Sequence, residues 1–215
     1  MTIILLIRHG ENEYVATGRL AGRLPEIHLN DNGKKQARAL AKILAQAPIK
    51  AIYSSPLERC METAQPLAGA LKLDVIPRND LLEIDFGNWQ DKTLKSLRRR
   101  KLWKTVQSNP SRMKFPEGET FANAQMRIIQ EMEALNKLHA PKEMIACFAH
   151  SDIIRLALAY YIGTPLDLFQ RIVVSPASIS TIYLREMGVQ VFNINQSISL
   201  DFSTHKEKQK KNKRK

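Results

Sequence analysis

Two histidines of the sequence each end a short apolar run. His9 follows LLIR and His150 follows CFA, and Arg8 stands directly before the first of them. A second arginine, Arg59, follows the run AIYSS through the residues PLE. Guanidinium groups match the oxygens of a phosphate, and an imidazole can attack phosphorus as a nucleophile. These four side chains therefore predict an anion pocket in which a phosphoryl group could be transferred.

Phosphoryl transfer to an imidazole also requires a group that protonates the departing oxygen. The stretch LLEIDFGNW, residues 81–89, offers Glu83 and Asp85 as candidates. A carboxylic acid there would protonate the leaving alcohol, and the resulting carboxylate would activate the water that releases phosphate. Gly87 in the same stretch would let the backbone approach a ligand closely.

Short apolar runs predict the strands that must position these residues. The last two runs flank a turn-like segment and predict a hairpin. The first run is apolar throughout, which is typical of a strand buried on both faces. The runs comprise residues 3–7, 51–55, 73–77, 144–149, 180–184 and 189–193.

Helical spacing of apolar residues separates the predicted strands. Asn30 predicts the N-cap of a helix that ends before Pro48. Ser55 and Pro56 predict the N-cap and first turn of the next helix, with a break or kink at Pro66. Two further helices are predicted over residues 120–138 and 152–162.

Alternating strands and helices predict an α/β fold, a three-layer α/β/α sandwich with a mostly parallel central sheet. Ligands of open α/β sheets bind outside the carboxyl ends of the strands. Both His9 and His150 stand at such ends, although 141 residues separate them. We therefore expect the two imidazoles to face one site, with Arg59 on the same side of the sheet.

The ordered motifs RHGEN, SSPLER, LLEIDFGNW and AHSD resemble those of the histidine phosphatase superfamily, the phosphoglycerate mutase-like proteins. The resemblance covers roughly residues 3–184. It implies that His9 is the phosphorylated nucleophile, that Glu83 rather than Asp85 is the proton donor, and that the second histidine acts with the two arginines. Arg8, Arg59 and His150 would hold the phosphoryl group. The stretch FPEGETF resembles an element of the family's cap region, which would place Glu119 and Thr120 near the pocket rim.

Three positions depart from the pattern of this family. Asn12 stands where Thr or Ser is usual, Val15 where Asn is frequent, and Ser151 where glycine commonly follows the second histidine. Asn12 and Ser151 can still bind phosphate through their side chains, whereas Val15 cannot. We therefore expect Asn12 and Ser151 to join the two arginines as phosphate-binding residues.

The composition predicts one domain. The 215 residues are 44% hydrophobic, enough to bury a substantial core, and we assign residues 1–202 to it, with a small helical cap inserted over roughly residues 88–140. Residues 203–215 hold seven Lys or Arg and one Glu, half of the net charge of +12, and predict a disordered basic tail with weak polyanion binding. No apolar run reaches the length of about 18 residues that a transmembrane helix needs.

The N-terminus lacks a signal-peptide pattern, and neither Cys60 nor Cys147 has metal-ligand spacing. We therefore expect a cytoplasmic protein. There is no GxxxxGK phosphate loop, no C-x5-R loop and no HExxH motif, which favours catalysis without metal or cofactor. The preferred hypothesis is a phosphomonoesterase acting on small phosphorylated metabolites through phosphohistidine. The alternatives are a cofactor-dependent phosphoglycerate mutase and a non-catalytic module that binds phosphate or polyanions.

Overall fold

A six-stranded sheet runs through the centre of the molecule, and the computed structural model describes residues 2–185 and 188–197. Its strands are β1 (Thr2–Arg8), β2 (Ile49–Ser54), β3 (Val75–Pro77), β4 (Met144–Ala149), β5 (Ile179–Arg185) and β6 (Gly188–Gln196). They lie in the order β3-β2-β4-β1-β5-β6. The first four strands are parallel, and β5 and β6 pair antiparallel as the predicted hairpin. The mostly parallel sheet is thus confirmed.

Helices cover both faces of this sheet and the edge above its carboxyl ends. Asn30 caps one of them as the sequence predicts, because it accepts a hydrogen bond from the backbone N–H of Gly33. Thr120 caps another in the same way and accepts from the N–H of Asn123. The helices are α1 (Glu13–Thr17), α2 (Asp31–Leu44), α3 (Glu58–Leu71), α4 (Leu94–Leu97), α5 (Trp103–Ser108), α6 (Phe121–Leu138) and α7 (Ser151–Tyr161). Short 3-10 turns lie at Asn79–Leu81, Gly87–Trp89, Pro110–Arg112 and Leu166–Arg171.

Two apolar cores, one on each face of the sheet, make the molecule three layers thick. Side chains alternate along β1, so that Ile4 and Leu6 join the core under α6 and α7. Leu5 and Ile7 join the opposite core, under α2 and α3. The α/β/α sandwich predicted from the sequence is therefore confirmed.

The entry into α3 differs from the prediction. The helix begins at Glu58, and Leu57, which caps it, provides no side-chain hydrogen bond. Ser55 lies two residues before this cap; its Oγ accepts a long hydrogen bond of 3.5 Å from the N–H of Leu57 and lies 2.8 Å from Nε2 of His150. The helix also continues through Pro66 up to Leu71, since the loss of one backbone donor is offset by packing of its buried face against the sheet.

The segment between β3 and α6 lies above the carboxyl ends of the parallel strands. It contains α4, α5 and three of the 3-10 turns, and an aromatic cluster holds it together. Trp89 stacks on Trp103 with ring centroids 6.3 Å apart, and Phe115 packs edge-on against Trp89. α6, in the second half of the predicted cap span, packs against α7.

Within the described residues, no helix is long and apolar enough to cross a membrane. The predicted basic tail, residues 203–215, lies outside the described residues.

Candidate active site

The parallel pairing of β1 and β4 brings the two predicted imidazoles together. Arg8 is in register with Ala149, so each strand delivers its histidine one residue later at the same edge of the sheet. The ring centroids of His9 and His150 lie 5.2 Å apart, with the ring planes at 63°. The two imidazoles, 141 positions apart in the chain, thus lie side by side in the structure.

The hydrogen bonding of His9 fixes which of its nitrogens can react. Nδ1 lies 2.7 Å from the carbonyl oxygen of Gly10, which can only accept, so Nδ1 carries the proton. Nε2 then keeps its lone pair. Burial, followed by the charges of Arg8 and Arg59, holds the pKa of His9 well below its ordinary value. The imidazole is therefore neutral at neutral pH, and the lone pair of Nε2 is available for nucleophilic chemistry.

Buried donors without protein acceptors lie around His9. Arg59, only 1% exposed, donates from Nη2 to the Gly22 carbonyl at 2.6 Å, while its Nε and Nη1 have no protein acceptor. Arg8 donates from Nη1 to Val174 and leaves Nε without an acceptor, as Asn12 leaves Nδ2. Buried donors without acceptors are costly. The oxygens of a phosphoryl group could satisfy them.

His150 packs against His9 and is fully buried. Its Nδ1 is 3.3 Å from Nη2 of Arg59, which can only donate, so Nδ1 accepts and Nε2 carries the proton toward Ser55. Burial and the charge of Arg59 lower its pKa well below the ordinary value. In this arrangement His150 orients Arg59 and packs against His9. Ser55 was missed as its partner because only the fold brings the two residues together.

Glu83 is the carboxyl group that faces the site. It is 8% exposed and accepts a hydrogen bond from the backbone N–H of Ile84 at 3.0 Å. Burial, reinforced by the charge of Asp152, raises the pKa of Glu83 to about 7. A carboxyl group with this pKa can both donate and accept a proton near neutrality. Asp85 has a different role, because its Oδ1 accepts from the N–H of Gly87 within the turn.

A half-buried ion cluster holds the loop that carries Glu83. One oxygen of Glu119 accepts from the side chains of Arg23 at 2.9 Å and Arg127 at 3.0 Å, and from the backbone N–H of Asp85 at 2.8 Å. The same arginines donate to the loop's carbonyls, Arg23 to Glu83 and Arg127 to Leu82. This Glu119 cluster fixes the loop from behind.

Two details of the sequence analysis are corrected at this loop. Glu119 does not line the cavity, because its carboxylate faces the back of the loop, and Thr120 caps α6. Glycine is required at position 87 because another segment of the protein, and not a ligand, approaches its backbone closely. Its φ is +48°, and a Cβ there would lie 2.1 Å from the carbonyl oxygen of Pro116.

Loosening the Glu119 cluster is expected to impair proton donation specifically. Glu119→Gln removes the charge that holds two guanidiniums and should lower kcat for alkyl phosphates by about 10- to 100-fold, the scale of a small misplacement of a catalytic group. Aryl phosphates with good leaving groups should lose much less. Steady-state kinetics with both substrate types would measure this. Glu117→Gln, at an exposed position two residues away, is the matched control.

A cavity of about 310 Å³ opens onto His9, Glu83 and the two arginines Arg8 and Arg59. His150 does not line this cavity. No group of three or more His, Cys, Asp or Glu side chains that could hold a metal ion occurs in residues 2–185 and 188–197. Six of the seven predicted site residues line the cavity: Arg8, His9, Asn12, Arg59, Glu83 and Ser151.

Comparisons with known proteins agree with this geometry. The family model described as histidine phosphatase superfamily (branch 1) matches residues 4–197. Phosphoserine phosphatase 1 of Hydrogenobacter thermophilus is 29% identical over 91% of this chain and 92% of its own length. The 2,3-bisphosphoglycerate-dependent phosphoglycerate mutase of Thermoplasma acidophilum is 30% identical over 75% and 77%. Among solved structures, phosphoserine phosphatase from Entamoeba histolytica, in complex with 3-phosphoglyceric acid, superposes with a TM-score of 0.82 at 26% identity, covering 92% of this chain and 98% of that one.

Proposed function

This chain belongs to the histidine phosphatase superfamily, and on that basis we propose that it is a phosphomonoesterase that hydrolyses small phosphorylated metabolites through a phosphohistidine at His9. One observation carries the proposal: the unprotonated Nε2 of His9 and the carboxyl group of Glu83 share one cavity. Binding a phosphate would require only the cations. A carboxyl group with its pKa raised to about 7 adds a proton donor, which a binding module does not need.

The first half of the proposed reaction transfers the phosphoryl group to the enzyme. Nε2 of His9 attacks phosphorus, the bond from phosphorus to the ester oxygen breaks, and protonated Glu83 gives its proton to the departing alcohol. Arg8 and Arg59 neutralise the phosphoryl oxygens. Asn12 Nδ2 and the Ser151 hydroxyl, both on the cavity wall, add neutral hydrogen bonds.

The second half returns the enzyme to its starting state. Glu83, now ionised, takes a proton from water as the water oxygen attacks phosphorus. The bond between phosphorus and Nε2 breaks, inorganic phosphate leaves, and Glu83 is protonated again. His150 takes no proton in this scheme. It is a positioning residue that holds Arg59 through Nδ1.

A phosphoglycerate mutase is the second candidate, favoured by the likeness to the Thermoplasma acidophilum mutase. A mutase must shield its phosphohistidine from water while the intermediate turns over. Here 67 residues separate Glu83 from His150, and they must also provide α6 and β4. This leaves two short helices, α4 and α5, as the main enclosing elements, which favours a site open to water.

Parallel assays of hydrolysis and isomerisation test the proposal. In the presence of a metal chelator, we expect phosphate release from several phosphomonoesters and little interconversion of 2- and 3-phosphoglycerate. Retained activity in chelator would support our proposal that no metal takes part. Bisphosphoglycerate-dependent isomerisation much faster than phosphate release would make the mutase assignment correct, and binding without turnover would leave only the non-catalytic module.

We also propose a cytoplasmic location, in line with two cysteines that are both free and buried, Cys60 and Cys147. Weak polyanion binding by residues 203–215 stays a prediction from the sequence.

A further inference from the structure

We propose that the preferred substrate is a phosphate monoester of an apolar, uncharged alcohol or phenol, and not phosphoserine or phosphoglycerate. This inference rests on the proposed phosphatase function and concerns the part of the cavity that would hold the leaving group. It follows from the composition of the wall beyond the phosphoryl-binding groups and from the pairing of its charges.

The wall beyond Arg8, His9 and Arg59 is mainly apolar. One side comes from the chain that follows β1, and the other from the loop that carries Glu83, α4 and α5. Apolar surface on a leaving group would displace water from these side chains, which is favourable in proportion to the area buried. The residues that form this apolar wall include Val15, Leu20, Phe86, Leu94, Leu97 and Trp103.

The cations of the wall outside the phosphoryl-binding set are already paired within the protein. Nη1 of Arg155 lies 2.9 Å from Oδ1 of Asp152, which offsets its charge, while its buried Nε has no acceptor within the protein. Arg19 binds both the carboxylate and the backbone carbonyl of Asp91. In the described part of the chain, both of these wall cations thus already have a carboxylate partner, although Nε of Arg155 could still donate to a second anionic group. A carboxylate of phosphoserine or phosphoglycerate that took this donor would lie close to the carboxylate of Asp152 and would lose its hydration without a cation of its own.

An ammonium group is no better accommodated. The two carboxyl groups on the wall are Glu83 and Asp152, and the second is bound to Arg155. A substrate ammonium group paired with Glu83 would hold its carboxyl group in the ionised form. Glu83 could then no longer donate a proton. The remaining polar groups are neutral or engaged: the hydroxyl of Tyr14 donates to Asp91, and Gln107 donates to Gln170.

Substrates with similar leaving-group reactivity separate this inference from the chemistry of the site. We would measure kcat/KM for phenethyl phosphate, ethyl phosphate, phosphoserine and 3-phosphoglycerate. The apolar ester is expected to exceed both charged metabolites by about 10- to 100-fold, the range that pocket contacts of this kind supply. Ethyl phosphate should fall between them because it lacks the apolar group.

A substitution in the wall tests the cause of the preference. Leu94→Asn places an amide in the apolar wall and should lower the ratio of kcat/KM for phenethyl over ethyl phosphate several-fold. Leu102→Asn is the matched control, since Leu102 is 41% exposed and does not line the cavity. Val15→Asn provides a second wall variant if Leu94→Asn does not fold.

Each outcome is decisive. Hydrolysis led by phosphoserine or 3-phosphoglycerate would overturn the inference and leave the phosphatase function standing. The inference also fails if the wall variants leave the substrate ratio unchanged. If no ester is hydrolysed, the proposed function itself is wrong, and the inference falls with it.

Discussion

His9→Ala is expected to lower kcat by several orders of magnitude, because the variant retains the binding groups but has lost the atom that accepts phosphorus. Arg8 and Arg59 remain in the variant, so phosphate and vanadate should still bind. The measurement is phosphate release under saturating substrate, with inhibitor binding followed by calorimetry. His28→Ala serves as the control, because His28 is an exposed histidine paired with Glu62 and lies outside the cavity.

Turnover of His9→Ala within about tenfold of the native rate would be incompatible with a histidine nucleophile. Loss of activity together with loss of inhibitor binding would point to a collapsed site instead. The variant's melting temperature separates these two cases, since the interior loses only one buried ring.

Glu83→Gln should produce a loss that depends on the leaving group. The amide cannot donate a proton to an alkoxide, so alkyl phosphates should lose about 10²- to 10⁴-fold in kcat, the usual contribution of a general acid. Phosphorylation by p-nitrophenyl phosphate should suffer far less, because nitrophenolate leaves without protonation. Rapid-quench measurement of the first turnover gives both rates.

Asp85→Asn is the matched control for Glu83→Gln, because the asparagine oxygen can still accept the hydrogen bond from Gly87. Equal losses for both substrate types in Glu83→Gln would argue against a proton donor at this position.

The raised pKa of Glu83 also links activity and stability to pH. The donor form is lost as pH rises through about 7, so first-turnover rates for alkyl phosphates should decline there. Folding favours the protonated carboxyl group, because its pKa is higher in the folded than in the unfolded chain. The free energy of unfolding should therefore fall as pH rises from the unfolded value through about 7. Glu83→Gln, which is neutral at every pH, should lack this part of the decline.

The fold and the meeting of the two histidines could be predicted because their signals are local in the sequence. Apolar runs such as residues 144–149 show their strand character without reference to the rest of the chain. Once parallel strands are assumed, residues at their carboxyl ends must converge, so the meeting of His9 and His150 follows from topology. The N-cap at Asn30 is likewise a local signal, read within three residues.

The supporting groups could not be predicted, because they depend on contacts between distant segments. The Glu119 cluster holds the loop of Glu83 through ion pairs with Arg23 and Arg127. No spacing of these residues along the chain predicts that they meet. The same is true of the bond between Ser55 and His150. The prediction that Ser55 caps α3 was wrong. A serine before a proline is typical of a helix cap, but α3 begins only at Glu58.

The pKa of Glu83 and the character of the cavity wall also arise only from the folded structure. Burial is the main cause of the raised pKa, and burial of a carboxyl group cannot be read from its neighbours in sequence. Leu94, Leu97 and Trp103 carry no signal of a substrate site in the sequence itself. Only the position of their segment above the strand ends makes them part of a substrate site.

Trapping of the covalent intermediate tests the central claim most directly. The protein would be mixed with a phosphate-labelled ester, quenched in alkali within the first turnover, and digested, since a phosphoramidate survives base and is lost in acid. We predict that the label lies on the peptide containing His9 and is absent from His9→Ala. A label on Ser151 or Cys147, or no label while phosphate is released in a burst, would contradict the account.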